Sequence, residues 1–148
     1  MTDMQSEDII KKLNNLIEID YDAIAAYKAA IERLEDKQLK QQLVTFMEDH
    51  KNHVTALTES VRLSGGNPAD SGDMKKILTK GKVVIAELGG DDAILKAMKM
   101  NEEVTNKSYE AMVDEPFPGT IKLILQNGLA DERRHRAWLD ATIEQISS

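Results

Sequence analysis

The chain has 148 residues, of which 19 are Lys or Arg and 26 are Asp or Glu, giving a net charge of −7. This acidic balance disfavours nucleic acid and anionic membranes as partners, and the lack of cysteine excludes disulfides and thiolate metal sites. The N-terminal sequence has no basic region followed by an apolar run, and no stretch approaches the roughly 20 apolar residues of a membrane span. We therefore expect a cytoplasmic protein of one domain, residues 1–148, that binds cations rather than nucleic acid or membranes.

Long stretches rich in Ala, Leu, Glu, Lys and Gln predict an all-α protein. The first helix is expected to start at Ser6 and to break near Asp36, and the second to end at the glycines and proline of SGGNP, residues 64–68. Because the connection between these helices is very short, residues 6–64 should form an antiparallel hairpin.

Residues 65–90 differ from the rest of the chain and are interpreted as a long crossover that contains a short helix interrupted by Gly81. Asp91 or Asp92 is expected to cap a third helix, which EPFPG at residues 115–119 stops. A fourth helix then runs nearly to the C-terminus, so residues 91–147 form a second hairpin. Two antiparallel hairpins joined by one long connection predict an antiparallel four-helix bundle.

Apolar residues at helical spacing give each helix one stripe that faces the bundle interior. The predicted core includes Ile146 near the end of the fourth helix, and the methionines at four positions are interpreted as core filler: Met47, Met98, Met100 and Met112.

Ionisable side chains interrupt these apolar stripes in every helix. The interruptions are Asp20 in the first helix, His50 and His53 in the second, Glu102 in the third, and Glu132 and His135 in the fourth. A buried carboxylate or imidazole costs several kcal/mol unless it is paired or bound to a metal. Six such groups on four helices therefore favour a shared site.

The two halves of the chain are related by an offset of 82 positions, the separation of Asp20 from Glu102. The same offset aligns Tyr27 with Tyr109, His50 with Glu132, His53 with His135, and Asp49 with Asp131, although other positions differ, including Phe46 against Gly128. The chain thus reads as two related hairpins around a pseudo-twofold axis, with the polar residues near that axis.

The inward set has the chemistry of a metal site. A divalent cation stripped of water needs several donors from different directions, and Glu132 and His135 present two of them one helical turn apart. Carboxylates together with neutral imidazoles suit iron, manganese or zinc. Tyr27 and Tyr109 would either donate hydrogen bonds to ligands or fill the core, whereas Asp49 and Asp131 are more simply assigned to the solvated side than to orienting an imidazole.

The segments DYDAIAAY, EEVTNKSY and LADERRHRAWL carry a resemblance to a known family. A carboxylate followed seven residues later by Tyr is similar to the first-helix pattern of rubrerythrins, and the chain resembles the ferritin-like superfamily on the rubrerythrin and bacterioferritin side. LKAMKMNEEVTNKSYE and LADERRHRAWL also resemble uncharacterised bacterial ferritin-like proteins. In the superfamily, a Glu from each of two helices joins an ExxH pair from each of the other two around a di-iron centre.

The resemblance implies a bundle of ferritin-like topology that binds one or two iron ions, with manganese or zinc as alternatives. It implies a ferroxidase-type or peroxidase-type oxidoreductase that oxidises iron or reduces oxygen or peroxide. The ligands it implies by position are Asp20, His50, His53, Glu102, Glu132 and His135. Bundles of this sort commonly form homodimers.

Two positions depart from the family pattern. Asp20 stands where Glu is usual, and His50 stands where the other ExxH pair would have a bridging Glu. A neutral imidazole offers one lone pair to one metal, so the second bridge is missing. Three carboxylates also leave one positive charge of two divalent ions uncompensated in a core of low dielectric, which favours one ion or a second, weakly held one.

Two alternatives stay open from the sequence. One is a non-redox bundle, related to stress, that holds zinc or a single ion without turnover. The other is a metal-free structural bundle in which His50, His53 and His135 pair with the carboxylates by hydrogen bonds.

Overall fold

The structure is a computed structural model that describes residues 4–70 and 89–147. Within these ranges the chain forms four α-helices and no strand: α1 (Ser6–Arg33), α2 (Lys37–Leu63), α3 (Asp91–Val113) and α4 (Gly119–Ser147). The predicted all-α class and the predicted helix order are confirmed. The short helix predicted around Gly81 lies outside the described residues.

The turn between α1 and α2 is stabilised by two aspartates. Asp36 caps α2, because its carboxylate accepts hydrogen bonds from the backbone N–H groups of Gln38 at 2.8 Å and Leu39 at 3.0 Å. Neither Asp91 nor Asp92 caps α3, which corrects the sequence interpretation, because the cap position is Gly90, which makes no side-chain hydrogen bond. The Asp91 carboxylate instead accepts from the N–H groups of Glu35 and Asp36, at 2.9 and 3.1 Å. The start of α3 is thereby fixed to the end of α1.

The direction of α3 follows from two crossed contacts with α1. Tyr27 donates a hydrogen bond to Glu102, and Tyr109 donates one to Asp20, so α1 and α3 are antiparallel. At the opposite end of the bundle from Asp91, the side chain of Asn14 accepts from the Ala69 N–H at 2.8 Å. The described chain therefore stops and resumes at opposite ends of the bundle, as a crossover requires.

The core consists of two apolar clusters with a polar layer between them. One cluster lies at the α1–α2 turn and contains Leu34, Leu43, Phe46 and Met98, and the other lies at the far end. The six inward-facing ionisable residues occupy this polar layer, since each of them lies near the middle of its helix. Each apolar cluster excludes water from one side of that layer.

Two apolar residues predicted for the core lie outside it. Met100 is 69% exposed and Ile146 is 43% exposed, whereas Met98 is fully buried. Residues 144–147 at the end of α4 are all exposed, so Ile146 lies beyond the buried part of the apolar stripe. In the parts of the chain that the structure describes, no helix is long and apolar enough to cross a membrane.

Candidate metal site

The structure brings all six inward-facing ionisable residues together between the helices. Five of them are completely buried, and His53 is 8% exposed. They form two overlapping groups of four, and within each group one donor atom per residue lies within 4.8 Å of the others. One group is Asp20, His50, His53 and Glu132, and the other is His50, Glu102, Glu132 and His135. His50 and Glu132, which occupy equivalent positions in the two halves, belong to both groups.

Asp20 accepts hydrogen bonds from three directions. Its Oδ1 atom faces Nδ1 of His50 at 2.8 Å and Nδ1 of His53 at 3.3 Å, and its Oδ2 atom accepts from the Tyr109 hydroxyl at 2.6 Å. Burial opposes ionisation of Asp20, but the hydrogen bonds from His50 and His53 outweigh it and lower the pKa of this carboxyl below 3.8. Asp20 is therefore an anion.

Glu102 is the counterpart of Asp20 on α3. Its Oε1 atom accepts from the Tyr27 hydroxyl and faces Nε2 of His50 and Nδ1 of His135, both at 3.2 Å. Its Oε2 atom lies 3.0 Å from the Thr105 hydroxyl oxygen. Burial opposes ionisation, but the hydrogen bonds from His135 and His50 hold the pKa of Glu102 well below its ordinary value.

Within the polar layer that the structure describes, Glu132 is the carboxyl group whose hydrogen bonding is incomplete. Its Oε2 atom accepts from the Thr105 hydroxyl at 2.8 Å. Its Oε1 atom is buried and has no hydrogen-bond partner among the described residues, although Nδ1 of His50 and Nδ1 of His53 each lie 3.4 Å away. Burial raises the pKa of Glu132 to about 8, and the neighbouring His50 and His53 only partly oppose it. This oxygen needs a proton or a cation.

The His50 imidazole lies between carboxylates on both sides, with Asp20 at Nδ1 and Glu102 at Nε2. Burial lowers the pKa of His50, but the nearby Glu132 and these two hydrogen bonds raise it well above 6.5. For His53, burial is likewise outweighed, here by the hydrogen bonds to Asp20 and Asp131 and by the nearby Glu132 carboxyl, and the pKa rises to about 10. In the metal-free protein both rings therefore carry a proton on each nitrogen.

Each of the two outer imidazoles has a second carboxylate on the opposite helix. Nε2 of His53 lies 2.9 Å from Asp131, and Nε2 of His135 lies 2.8 Å from Asp49. This crossed pair corrects the assignment of Asp49 and Asp131 to a solvated side alone. An Nε2–H group that donates to a carboxylate leaves Nδ1 free to face the site, which is how carboxylates orient metal-binding imidazoles.

Thr105 and Asn106 are site residues that the sequence interpretation missed. The Thr105 hydroxyl bridges Glu102 and Glu132, and the Asn106 amide donates to the backbone carbonyls of the same two residues, at 2.7 and 3.0 Å. Both side chains are buried. The available signal was the repeat offset, because the equivalent positions in the first half are Ala23 and Ile24, and a polar residue that replaces an apolar one in a core needs a partner.

Four helices in this order around a buried layer of carboxylates and imidazoles form a bundle of ferritin-like fold. The chain is similar to the solved structure of a bacterioferritin-related, dodecameric thioferritin of Bacteroides fragilis, with a TM-score of 0.82 and 15% identity over 97% of this chain and 89% of that one. Residues 8–115 match the family described as Domain of unknown function (DUF2383), and the chain belongs to that family. No curated protein matches it. The ferritin-like fold is thus shown, and the buried His, Asp and Glu groups are compatible with metal binding.

Proposed function

We propose that this protein binds divalent transition-metal ions in the polar layer of its bundle, and that iron is the ion it uses. The observation that carries the proposal is the unpartnered Oε1 atom of Glu132, buried within the overlap of two four-residue donor groups. The Glu132 carboxylate has two oxygens and could bind one ion in each donor group, whereas a neutral His50 could bind an ion in only one of them. The proposed ligands are the six residues inferred from the sequence.

The donor set supports iron, manganese or zinc rather than calcium or a thiophilic metal. It offers three carboxylates and three imidazoles, and the chain has no cysteine. Bound iron would supply one-electron chemistry with dioxygen or peroxide, and we propose that the protein uses its iron for this redox activity. The protein's own contribution is to fix the ligands: Tyr27 and Tyr109 hold the carboxylates, while Asp49 and Asp131 orient the two outer imidazoles.

The charge of the polar layer favours exchange of protons for metal. Without metal, protonated His50 and His53 balance ionised Asp20 and Glu102. The pKa of Glu132, about 8, keeps this carboxyl largely protonated at neutral pH. Ligand nitrogens and oxygens must lose these protons to bind a cation, so uptake of metal would release protons.

One specific observation favours the second candidate, a metal-free structural bundle. The hydroxyls of Tyr27, Tyr109 and Thr105 all donate to carboxylates of the layer, and a buried polar network of this kind can define a unique packing without any ion. The unpartnered oxygen of Glu132 is the feature that this alternative leaves unexplained.

Metal analysis of protein expressed in iron-supplemented medium tests the proposal directly. We expect at least one equivalent of transition metal, and uptake of ferrous iron by protein stripped with a chelator. Glu132→Gln should abolish binding while the bundle stays folded by circular dichroism. Glu103→Gln, a similar change beside Glu102 but with a half-buried side chain, is the matched control and should bind as the unmodified protein does.

Less than about a tenth of an equivalent of any transition metal, together with failure to load ferrous iron, would exclude the metal-binding proposal. Unfolding of Glu132→Gln with no difference between metal-treated and untreated protein would favour the structural bundle. Metal binding without oxidation of ferrous iron by dioxygen or peroxide would leave the metal site standing and remove the redox activity. A homodimer stays a prediction, for which sedimentation of the loaded protein is the measurement.

A further inference from the structure

The two halves of the proposed metal site differ in how the protein covers them. The offset of 82 positions that relates His53 to His135 also relates Ala56 to Trp138 and Gly128 to Phe46. Two small residues near one imidazole thus correspond to two large aromatic residues near the other. The difference decides which imidazole solvent can reach.

The His135 side is closed by aromatic packing. The Phe46 ring lies over the His135 ring, with centroids 4.2 Å apart and planes at 31°. Trp138 packs edge-on against the same Phe46 ring at 5.5 Å. His135 has no exposed surface, so on this side neither water nor an ion can approach the site without displacing a packed ring.

The His53 side has a cavity instead. Between α2 and α4 lies a small cleft with a volume of ≈ 130 Å³.

 A separate cleft of ≈ 250 Å³ lies between α1 and α3. The α2–α4 cleft is bounded by His53, Tyr109 and Gly128 and has room for several water molecules.

Gly128 keeps the inner part of this cleft in its present shape. A Cβ atom at residue 128 would lie 2.4 Å from Cε1 of Tyr109, so a side chain there would displace the ring that donates to Asp20. Phe46 fills the equivalent position in the other half. The cleft therefore exists because the second half has Gly128 at the position where the first half has the Phe46 ring.

The mouth of the cleft is polar and suits a cation. The exposed Asn52 and Asn127 line it together with Asp131. One oxygen of Asp131 faces Nε2 of His53 at 2.9 Å, while the other accepts from Arg134 at 2.7 Å. Amide and carboxylate oxygens are the groups that replace water around a divalent cation as it loses its hydration shell.

The α1–α3 cleft is closed at its inner end. Thr105 forms part of its lining, and the Thr105 hydroxyl is bonded to both Glu102 and Glu132. Thr105 is 1% exposed. A cation in this cleft would have to break both hydrogen bonds before it reached the carboxylates.

We infer that divalent cations enter and leave the polar layer through the α2–α4 cleft, past Asp131 and His53, and that the His135 side is a closed inner position. The inference rests on the proposed metal-binding function. It assigns Ala56 and Gly128 the role of keeping the entrance open, and Phe46 and Trp138 the role of closing the opposite side.

Cobalt(II) uptake measured by stopped-flow absorbance tests this route without any assay of turnover. Ala56→Trp places at the entrance the residue that the other half has at its closed side. We expect it to slow association about tenfold or more and to slow dissociation by a similar factor, because an obstructed path changes both rates and leaves the equilibrium affinity nearly unchanged. Asn127→Leu, at an exposed position of the mouth, should slow uptake less, and it provides the test if Ala56→Trp does not fold.

Val104→Trp is the matched control, since Val104 is exposed and lines the α1–α3 cleft. We expect its uptake rate to equal that of the unmodified protein. Slowing by Val104→Trp alone, equal slowing by all three variants, or slowing by none of them would overturn the α2–α4 route. Unmodified protein that binds no cobalt would instead exclude the metal-binding proposal itself, so the two failures are distinguishable.

Discussion

The first helix hairpin, α1 and α2, and the second, α3 and α4, share a frame of contacts but differ at the centre of the polar layer. In both, a tyrosine reaches across to the carboxylate of the other half, and an aspartate reaches across to the outer imidazole. At the centre, however, Nδ1 of His50 lies 3.4 Å from Oε1 of its counterpart Glu132. The crossed tyrosine and aspartate contacts keep the pseudo-twofold symmetry, whereas the central pair, His50 and Glu132, breaks it.

This difference separates what holds the site from what sets its chemistry. The crossed tyrosine and aspartate contacts fix the positions of the carboxylates and imidazoles in either half. The exchange of a carboxylate for an imidazole changes the charge of the layer and the number of ions it can balance. Substitutions that make the two hairpins more alike, or that remove a contact present in only one of them, therefore test this separation of roles.

The largest effect is expected from His50→Glu, which gives the first hairpin the carboxylate that the second has in Glu132. In metal-free protein this change removes a buried cation and adds a carboxylate beside Asp20 and Glu102, so we expect a loss of about 3–5 kcal/mol in the free energy of unfolding. Divalent metal should restore the stability, with more ions bound than by the unmodified protein. Urea denaturation with and without metal measures both effects.

His50→Gln serves as the control for that experiment, because it removes the imidazole without adding charge. It should lose less stability when metal-free and should gain less from metal. A metal-free His50→Glu protein as stable as the unmodified one would show that the layer is not balanced in charge as described.

The second effect is a fall in the stability of metal-free protein as the pH rises. The pKa values of His53, about 10, and Glu132, about 8, lie above their unfolded values of 6.5 and 4.5. Groups with raised pKa values stabilise the fold below the unfolded pKa, and this contribution is lost as the pH rises through the folded value. We expect a loss of a few kcal/mol between pH about 6 and about 9.

Thermal unfolding followed by circular dichroism across this range, in chelator, measures the loss. Metal should reverse the trend, since fewer protons then compete for the ligand atoms. At the acid end, the lowered pKa values of Asp20 and Glu102 predict a separate loss of stability as the pH falls below about 4. Stability of metal-free protein that rises from pH about 6 to about 9 would contradict the protonation states assigned to His53 and Glu132.

Helical spacing and the repeat offset were sufficient to predict the four helices and the convergence of the inward groups. Spacing assigns a residue to a face of its helix, and six groups on inward faces had to meet between the helices. It does not reveal partners across helices, which is why the sequence places Asp49 and Asp131 on the solvated side and predicts Asp91 or Asp92 as the cap of α3. Those contacts depend on how neighbouring helices are aligned along their axes, and periodicity within one helix carries no information about that alignment.

The third effect tests a contact that only the second hairpin has. Thr105→Val keeps the shape of the side chain but removes the hydroxyl that bridges Glu102 and Glu132, and the equivalent residue in the first hairpin is Ala23. Because the two buried carboxyl oxygens lose the one hydroxyl hydrogen that they share, we expect a loss of about 1–3 kcal/mol in metal-free protein. Chemical denaturation measures it.

Thr55→Val is the matched control, since the exposed Thr55 hydroxyl donates only to the Lys51 carbonyl of its own helix, at 3.1 Å. Its effect should stay within about 0.5 kcal/mol. Equal losses for the two variants would mean that the bridge does not stabilise the polar layer. A larger loss for Thr105→Val that metal removes would connect the bridge to the ligand set.

The smallest effect is expected at the surface, from Arg134→Asn, which gives α4 the residue that α2 has at Asn52. The Arg134 guanidinium contacts Asp49 at 3.2 Å and Asp131 at 2.7 Å, and its side chain is 52% exposed. Exposed ion pairs contribute about 0.2–1 kcal/mol and weaken with salt, so the loss of stability should be small and should shrink further at high ionic strength.

Arg133→Asn is the control, because the Arg133 guanidinium lies 3.7 Å from Glu110, and it should change stability less. A loss of stability from Arg134→Asn that persists in high salt would mean that the guanidinium holds Asp49 and Asp131 against their imidazoles. The contacts of the two outer imidazoles would then depend on α4 more than on α2.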